Sequence, residues 1–215
     1  ALCHDRGVIF HTDGTQWVGK MPTDVNTDNV DLLSMSGHKL YGPKGVGALY
    51  VRRRRPRVRL TAIQEGGGQE RGMRSGTLNV TGIVGLGKAC EIASQEMDSE
   101  RERLLSLRTK LESGITAGLS DVQVNGHAEK RLPHISNISY GFVEGESLMM
   151  ACKDIAMSSG STYAKSRSMP LSKSTKRFLF SPVMCRADVF ERTAPCASFA
   201  AKRLALIHRN ARMSP

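Results

Sequence analysis

The sequence predicts an α/β fold followed by a smaller α+β C-terminal domain. Three observations carry that prediction. Short apolar runs bounded by turn-forming residues recur near the start of the chain, at "GVIFHTD" (7–13), "DLLSMSG" (31–37) and "VGALYVRR" (46–53). Each is too short for a stable helix and reads as a strand. Apolar residues then shift to helical spacing over 79–97, "NVTGIVGLGKACEIASQEM". Beyond this, strand-like and helix-like segments alternate again, which separates residues 1–97 from 98–215 as two domains.

Between the third strand and the first helix, "QEGGGQERGMRSGT" (64–77) is a long glycine-rich loop. A second helix, strongly charged, is predicted at 99–115, "SERERLLSLRTKLESGI". Two short strands follow at 122–126 and 134–142. The acids that open "EGESLMMACKDIAM" (144–157) suit the N-terminus of a helix. The Ser/Lys-rich stretch 160–176 reads as a loop, and 196–210 as a last helix.

Composition narrows the function classes. The chain has 215 residues, 40% hydrophobic and 24% charged, enough to bury a substantial core. No run of eighteen apolar residues occurs, so no membrane-spanning helix is predicted. "ALCHDRGVIFHTD" opens as if in mid-domain, and the chain is expected to be part of a longer protein whose front would pack on the first three strands. That expectation leaves their apolar faces exposed. The five cysteines (Cys3, Cys90, Cys152, Cys185, Cys196) form no C-x-x-C pair, which speaks against zinc and against a disulfide framework. Of the net charge of +11, residues 160–215 supply most, with eleven Lys/Arg against two Asp/Glu. A second basic run is Arg52–Arg55 with Arg57 and Arg59. With few aromatics interleaved to stack bases, these runs read as solvated faces, and nucleic-acid binding is not expected.

Two phosphate-loop look-alikes can be set aside. "GIVGLGKA" (82–89) lacks the Ser/Thr of a P-loop and sits within a helical pattern, where its small residues suit close packing. "GPKGVGALY" (42–50) runs into a strand and gives no G-x-G-x-x-G.

The chemistry concentrates around Lys39. Asp13 ends one predicted strand and Gln16 follows three residues later. Ser36 and His38 flank Gly37 just before Lys39, where glycines force the backbone to turn. A pyridoxal phosphate enzyme needs such a set. A lysine holds the cofactor aldehyde, a carboxylate keeps the pyridine nitrogen protonated, and a hydroxyl with turn N–H groups grips the phosphate. Taken alone, S-x-H-K reads more readily as a surface lysine in a turn.

The longer stretches "HTDGTQWVGK", "DLLSMSGHKLYGPKGVGALYVRR", "GGGQERGMRSGT" and "NISYGFVEGESLMM" resemble, in order, signatures of the cysteine desulfurases of the housekeeping, iron–sulfur-assembly group. These are fold-type I enzymes of the class V aminotransferase superfamily, and the resemblance covers roughly residues 8–160. It implies that 1–97 is the C-terminal part of a large pyridoxal-phosphate-binding domain and that 98–215 is the small domain. It further implies a homodimer that removes sulfur from L-cysteine, leaves L-alanine, and passes the sulfur as a persulfide to an iron–sulfur scaffold or another acceptor protein. The compartment implied is the mitochondrial matrix in a eukaryote and the cytoplasm in a bacterium.

Residue by residue, Lys39 resembles the Schiff-base lysine and Asp13 the ring-nitrogen partner. Gln16 resembles the partner of the ring hydroxyl, and Ser36 and His38 resemble phosphate ligands. Thr77 resembles the threonine that reaches the neighbouring subunit's cofactor, although a helix cap is an equal reading. Arg177 is a candidate for the substrate carboxylate. After "SSGS" the family continues Ala-Cys, whereas this chain has Tyr163 in the nucleophile's place. A phenol cannot store a persulfide. The enzyme is therefore expected to be impaired as written, or to be a catalytically silent scaffold or dimerising relative.

Overall fold

The computed structural model describes residues 1–143, 145–152, 155, 157–159 and 176–180. The chain divides into two compact units, Ala1–Glu100 and Arg101–Pro215.

The first unit is built on a three-stranded sheet in the order β1 (His11–Asp13), β2 (Leu32–Ser36), β3 (Gly47–Val51). β1 and β2 are parallel, with Asp13 opposite Ser34, and β3 runs antiparallel to β2. Alternation divides β2 cleanly. Leu33 is buried, and Met35 packs on a core of Leu40, Leu86 and Ala89 with Val18, Val46, Cys90 and Ala93. Ser34 and Ser36 take the opposite face, which Asp13 shares through its register with Ser34. That face is open to solvent, and the apolar side chains Val8, Ile9, Phe10 and Leu49 of this unit are exposed.

β1 is shorter than the apolar run 7–13 suggests. Residues 8–10 are hydrophobic enough for a strand, but the ladder begins only where Phe10 O accepts the Leu32 N–H. Phe10 N is meanwhile taken by the Asp31 carboxylate.

The two helices predicted at 79–97 and 99–115 are one helix, α1 (Val80–Gly118). No Gly or Pro interrupts residues 88–113, so the change from an apolar to a charged surface near Met97 alters what the helix packs on without breaking its backbone. Its N-cap is Asn79, whose Oδ1 accepts the Gly82 N–H at 3.0 Å, and this removes the cap reading for Thr77. Of the glycines in 82–89, Gly85 serves close packing, whereas a Cβ at Gly87 would meet open space. A Cβ at Gly85 would lie 2.5 Å from Pro43, and one at Gly42 3.1 Å from Ala89.

The second unit contains a four-stranded antiparallel sheet in the order β4 (Val122–Val124), β5 (Ser136–Tyr140), β7 (Lys176–Phe180), β6 (Met157–Ser159), with α2 at Gly145–Ala151. Helix 144–157 is thus cut short, and its expected last residue opens β6 instead. Lys176, placed in a loop by composition, begins β7. Ile115, Leu119, Ile138, Tyr140, Val143, Leu148 and Cys152 form the core. Burial pushes the Tyr140 phenol well above its ordinary pKa. Beside this core, Glu112 accepts two bonds from Arg131 (both 2.6 Å) and one from Ser136 Oγ (2.6 Å). The predicted helix 196–210 lies outside the described residues.

Candidate functional site

The site begins at the C-terminal ends of two parallel strands. In open α/β sheets ligands gather there, because the loops diverge and leave a crevice. β1 ends on Asp13 and β2 on Ser36, two residues beyond Asp13's register partner. With strands about 4.8 Å apart and about 3.3 Å of rise per residue, the two strand ends lie within one small-molecule length of each other.

The Asp13 carboxylate is turned into a fixed anion by its own loop. Bonds from the Thr15 side chain and then from the Thr15 backbone N–H (2.9 Å to Oδ1) hold its pKa below the ordinary carboxylate range. The carboxylate remains exposed, as does Gln16 on the same turn.

β2 leads directly into a single 3-10 turn, Gly37–Leu40. Gly37 is required there. A Cβ would meet Val46 at 3.0 Å and the Pro43 and Val46 carbonyls at 3.1 Å. Ser36 Oγ and His38 Nδ1 are hydrogen-bonded at 2.8 Å, so hydroxyl and imidazole form one polar pair at the strand end. Lys39 is half-buried, and Leu40 anchors the turn in the core. Tyr41 closes the turn in the left-handed region (φ 61°), with its N–H donated to Gly37 O.

Four of the sequence-predicted residues, Asp13, Ser36, His38 and Lys39, are therefore brought to neighbouring strand ends, with Gln16 on the adjoining turn. Thr77 is exposed between the glycine-rich loop and α1, and no hydrogen bond among the described residues ties it to this group. Arg177 stands opposite Ser139 in the β5–β7 ladder of the second unit. Tyr163, Cys185 and Cys196 lie outside the described residues. Two basic groups behave unlike their neighbours in sequence. Arg52, the first of its arginine run, is buried. It donates to the Val30 and Val25 carbonyls and to Asn26 Oδ1, and it pairs with Asp31 at 3.2 Å. Lys20 is 92% buried, and its Nζ donates to the Lys39 carbonyl at 2.6 Å. Sequence reasoning missed Lys20, because a single lysine in "WVGKMP" carries no spacing signal.

Among the described residues no cluster of His, Cys, Asp or Glu suits a metal ion, and no helix is long and apolar enough to cross a membrane.

The residues present fit pyridoxal 5′-phosphate. An ionised carboxylate suits a protonated ring nitrogen, a hydroxyl–imidazole pair suits an anion, and a lysine, Lys39, follows that pair in the same turn. The fold is of the fold-type I kind, and the residues at its strand ends are of the types such a cofactor crevice needs. A family model, "Aminotransferase class-V", matches residues 1–191, and the chain belongs to that family. It is 57% identical over 160 residues to a cysteine desulfurase of Pongo abelii, covering 74% of this chain and 35% of that protein. It is 58% identical over 160 residues to the cysteine desulfurase IscS of Pectobacterium carotovorum, covering 74% of this chain and 39% of that protein. The NifS-like protein of Rickettsia africae shares the fold, with a TM-score of 0.80 over 99% of this chain and 56% of that one, at 22% identity. The chain spans a little over a third of the length of these curated relatives.

Proposed function

We propose that the chain is the Lys39-bearing portion of a pyridoxal-phosphate-dependent cysteine desulfurase. One observation carries this reading: Asp13 and the Ser36–His38–Lys39 turn stand at adjacent ends of parallel strands, with the Asp13 carboxylate held ionised by Thr15. The cofactor, when bound, supplies the electron sink that weakens bonds at the substrate's α-carbon. This chain's residues would do the rest. Asp13 holds the ring-nitrogen proton. Ser36 and His38 grip the phosphate, and Gln16 orients the ring hydroxyl. Lys39 tethers the aldehyde and, once displaced by L-cysteine, moves a proton at the α-carbon. Thr77 is assigned to the phosphate of a second subunit's cofactor, in a homodimer. Arg177 is assigned to the substrate carboxylate. Sulfur would pass to an iron–sulfur scaffold or another acceptor, in the mitochondrial matrix or the bacterial cytoplasm according to source.

Tyr163 favours a second reading, a silent scaffold or dimerising relative. Sulfur transfer needs a thiolate, and a phenol ionises too poorly and forms no persulfide. Incubation of the full chain with pyridoxal 5′-phosphate tests the cofactor site. Visible absorbance should appear and should fail to appear in Lys39→Ala. With L-cysteine added, alanine and persulfide should stay at background, and Tyr163→Cys alone should recover little. Vigorous persulfide formation by the chain as written would overturn the assignment of Tyr163.

A further inference from the structure

The 3-10 turn that carries Lys39 has an unfinished end. The N–H of Gly42, three residues on from Lys39, is committed to Gly37 O at 2.9 Å. The next residue, Pro43, has no N–H to give. The Lys39 carbonyl therefore cannot be satisfied by continuing the helix, and a carbonyl at a helix C-terminus attracts a cationic donor. Lys20 supplies it at 2.6 Å, and its Nζ also stands 5.3 Å from the centre of the Tyr41 ring.

The approach is built rather than incidental. The residue before Lys20 is Gly19 at φ +74°, and a Cβ there would sit 2.1 Å from Leu40 Cδ2. Glycine alone lets the Lys20 loop lie this close to the Lys39 turn. The cleft around Lys20 is lined by Leu40, Ala89, Ile92 and Ala93, with Glu96 and Glu100 also on its wall. Burial first, and the Lys39 charge second, lower the Lys20 pKa, while Glu100 opposes them. An ammonium is a costly filler for such a cleft where a methionine would pack as well. Its retention is explained by the bond it makes.

We propose that Lys20 is a positioning residue, clamping the Lys39 carbonyl so that the Gly37–Leu40 turn presents the Lys39 side chain to the strand-end crevice. This rests on the reading of Lys39 as the cofactor lysine.

The test compares the full chain with Lys20→Met, which keeps the buried stem but loses the donor, and with Lys20→Arg. Amide hydrogen exchange is followed at residues 37–42 against 32–36. In parallel, pyridoxal 5′-phosphate is added and the rate of borohydride-fixed labelling of Lys39 is read by peptide mass mapping. Lys20→Met should speed exchange at 37–42 about tenfold while leaving 32–36 unchanged. It should slow Lys39 labelling by about tenfold, since small misplacements of a reacting group are expensive. Lys20→Arg should restore most of both. Unchanged exchange at 37–42 in Lys20→Met overturns the clamp. Looser exchange with undiminished Lys39 labelling overturns the positioning role. Equal loosening of 32–36 and 37–42 in both variants reduces Lys20 to packing and also overturns it. A wild-type chain that never labels at Lys39 fails the reading of the site instead, and the exchange comparison still decides the clamp.

Discussion

Two aspartates in the first unit, eighteen residues apart, show opposite uses of a carboxylate. Asp31 is fully buried and closed: it accepts from His4 Nε2 and Phe10 N, both at 2.9 Å, and pairs with Arg52. Burial raises its pKa, but the Phe10 N–H, His4 and Arg52 outweigh burial and hold it below the ordinary range. The Asp13 pKa is also lowered, chiefly by the Thr15 side chain and backbone with His11 adding to them, yet its carboxylate stays open to solvent. The first aspartate spends its charge on the fold. The second leaves its charge facing solvent. That contrast separates a closed ion cluster from an open carboxylate more sharply than charge or sequence pattern does.

The largest effect should come from breaking the closed member. Asp31→Ala leaves Arg52 buried without its counter-ion, and should cost roughly 3–5 kcal/mol in urea unfolding. Trp17, the single tryptophan and a member of this unit, reports the transition by fluorescence. Asp13→Ala should leave that midpoint in place while abolishing the cofactor's absorbance. Comparable destabilisation by both would erase the distinction.

In the second unit Glu112 is another closed carboxylate, gathering Arg131 and Ser136. Glu112→Gln keeps the shape and loses the charge, and should cost about 1–3 kcal/mol. Circular dichroism under urea checks it, since the probe tryptophan lies in the other unit.

Acid sharpens the comparison further. A carboxyl whose folded pKa lies below its unfolded value contributes stability above the unfolded pKa, near 4, and loses it as pH falls through the folded value. Asp31→Asn should flatten the loss of Trp17-reported stability below pH about 4, with a change of about 1.4 kcal/mol per unit at most. At the alkaline end the sign reverses for Tyr140. Its raised pKa makes the unfolded state shed a proton first, so stability falls as pH climbs above about 10. Tyr140→Phe should remove that slope, read by circular dichroism. This is the smallest of the four effects, because it leaves neutral pH untouched.

The comparison also explains what the sequence revealed. Asp13, Ser36, His38 and Lys39 are legible as a candidate set through the family motifs they resemble, and the structure brings them to neighbouring strand ends. β2 was legible because its alternation and its turn at Gly37 agree. Asp31 and Arg52 were not recognisable as a clasp. Arg52 opens a run of arginines, and only the fold shows it turning inward to Val25, Asn26 and Val30. Lys20 was hidden for the same reason. Its partner is the backbone carbonyl of Lys39, nineteen residues away and made available by Gly42 and Pro43, and carbonyls leave no mark in a sequence. The expected break between two helices near residue 98 is absent because polarity changes there while helix propensity does not.

The proposed function requires Lys39 to be the amine that takes the cofactor. The direct measurement is reductive trapping: the full chain mixed with an equimolar amount of pyridoxal 5′-phosphate, reduced with borohydride, digested and mapped by mass. The account predicts a pyridoxyl label concentrated on Lys39, and greatly reduced there in Asp13→Ala. A label spread evenly over the surface lysines, or concentrated on Lys20, would contradict it.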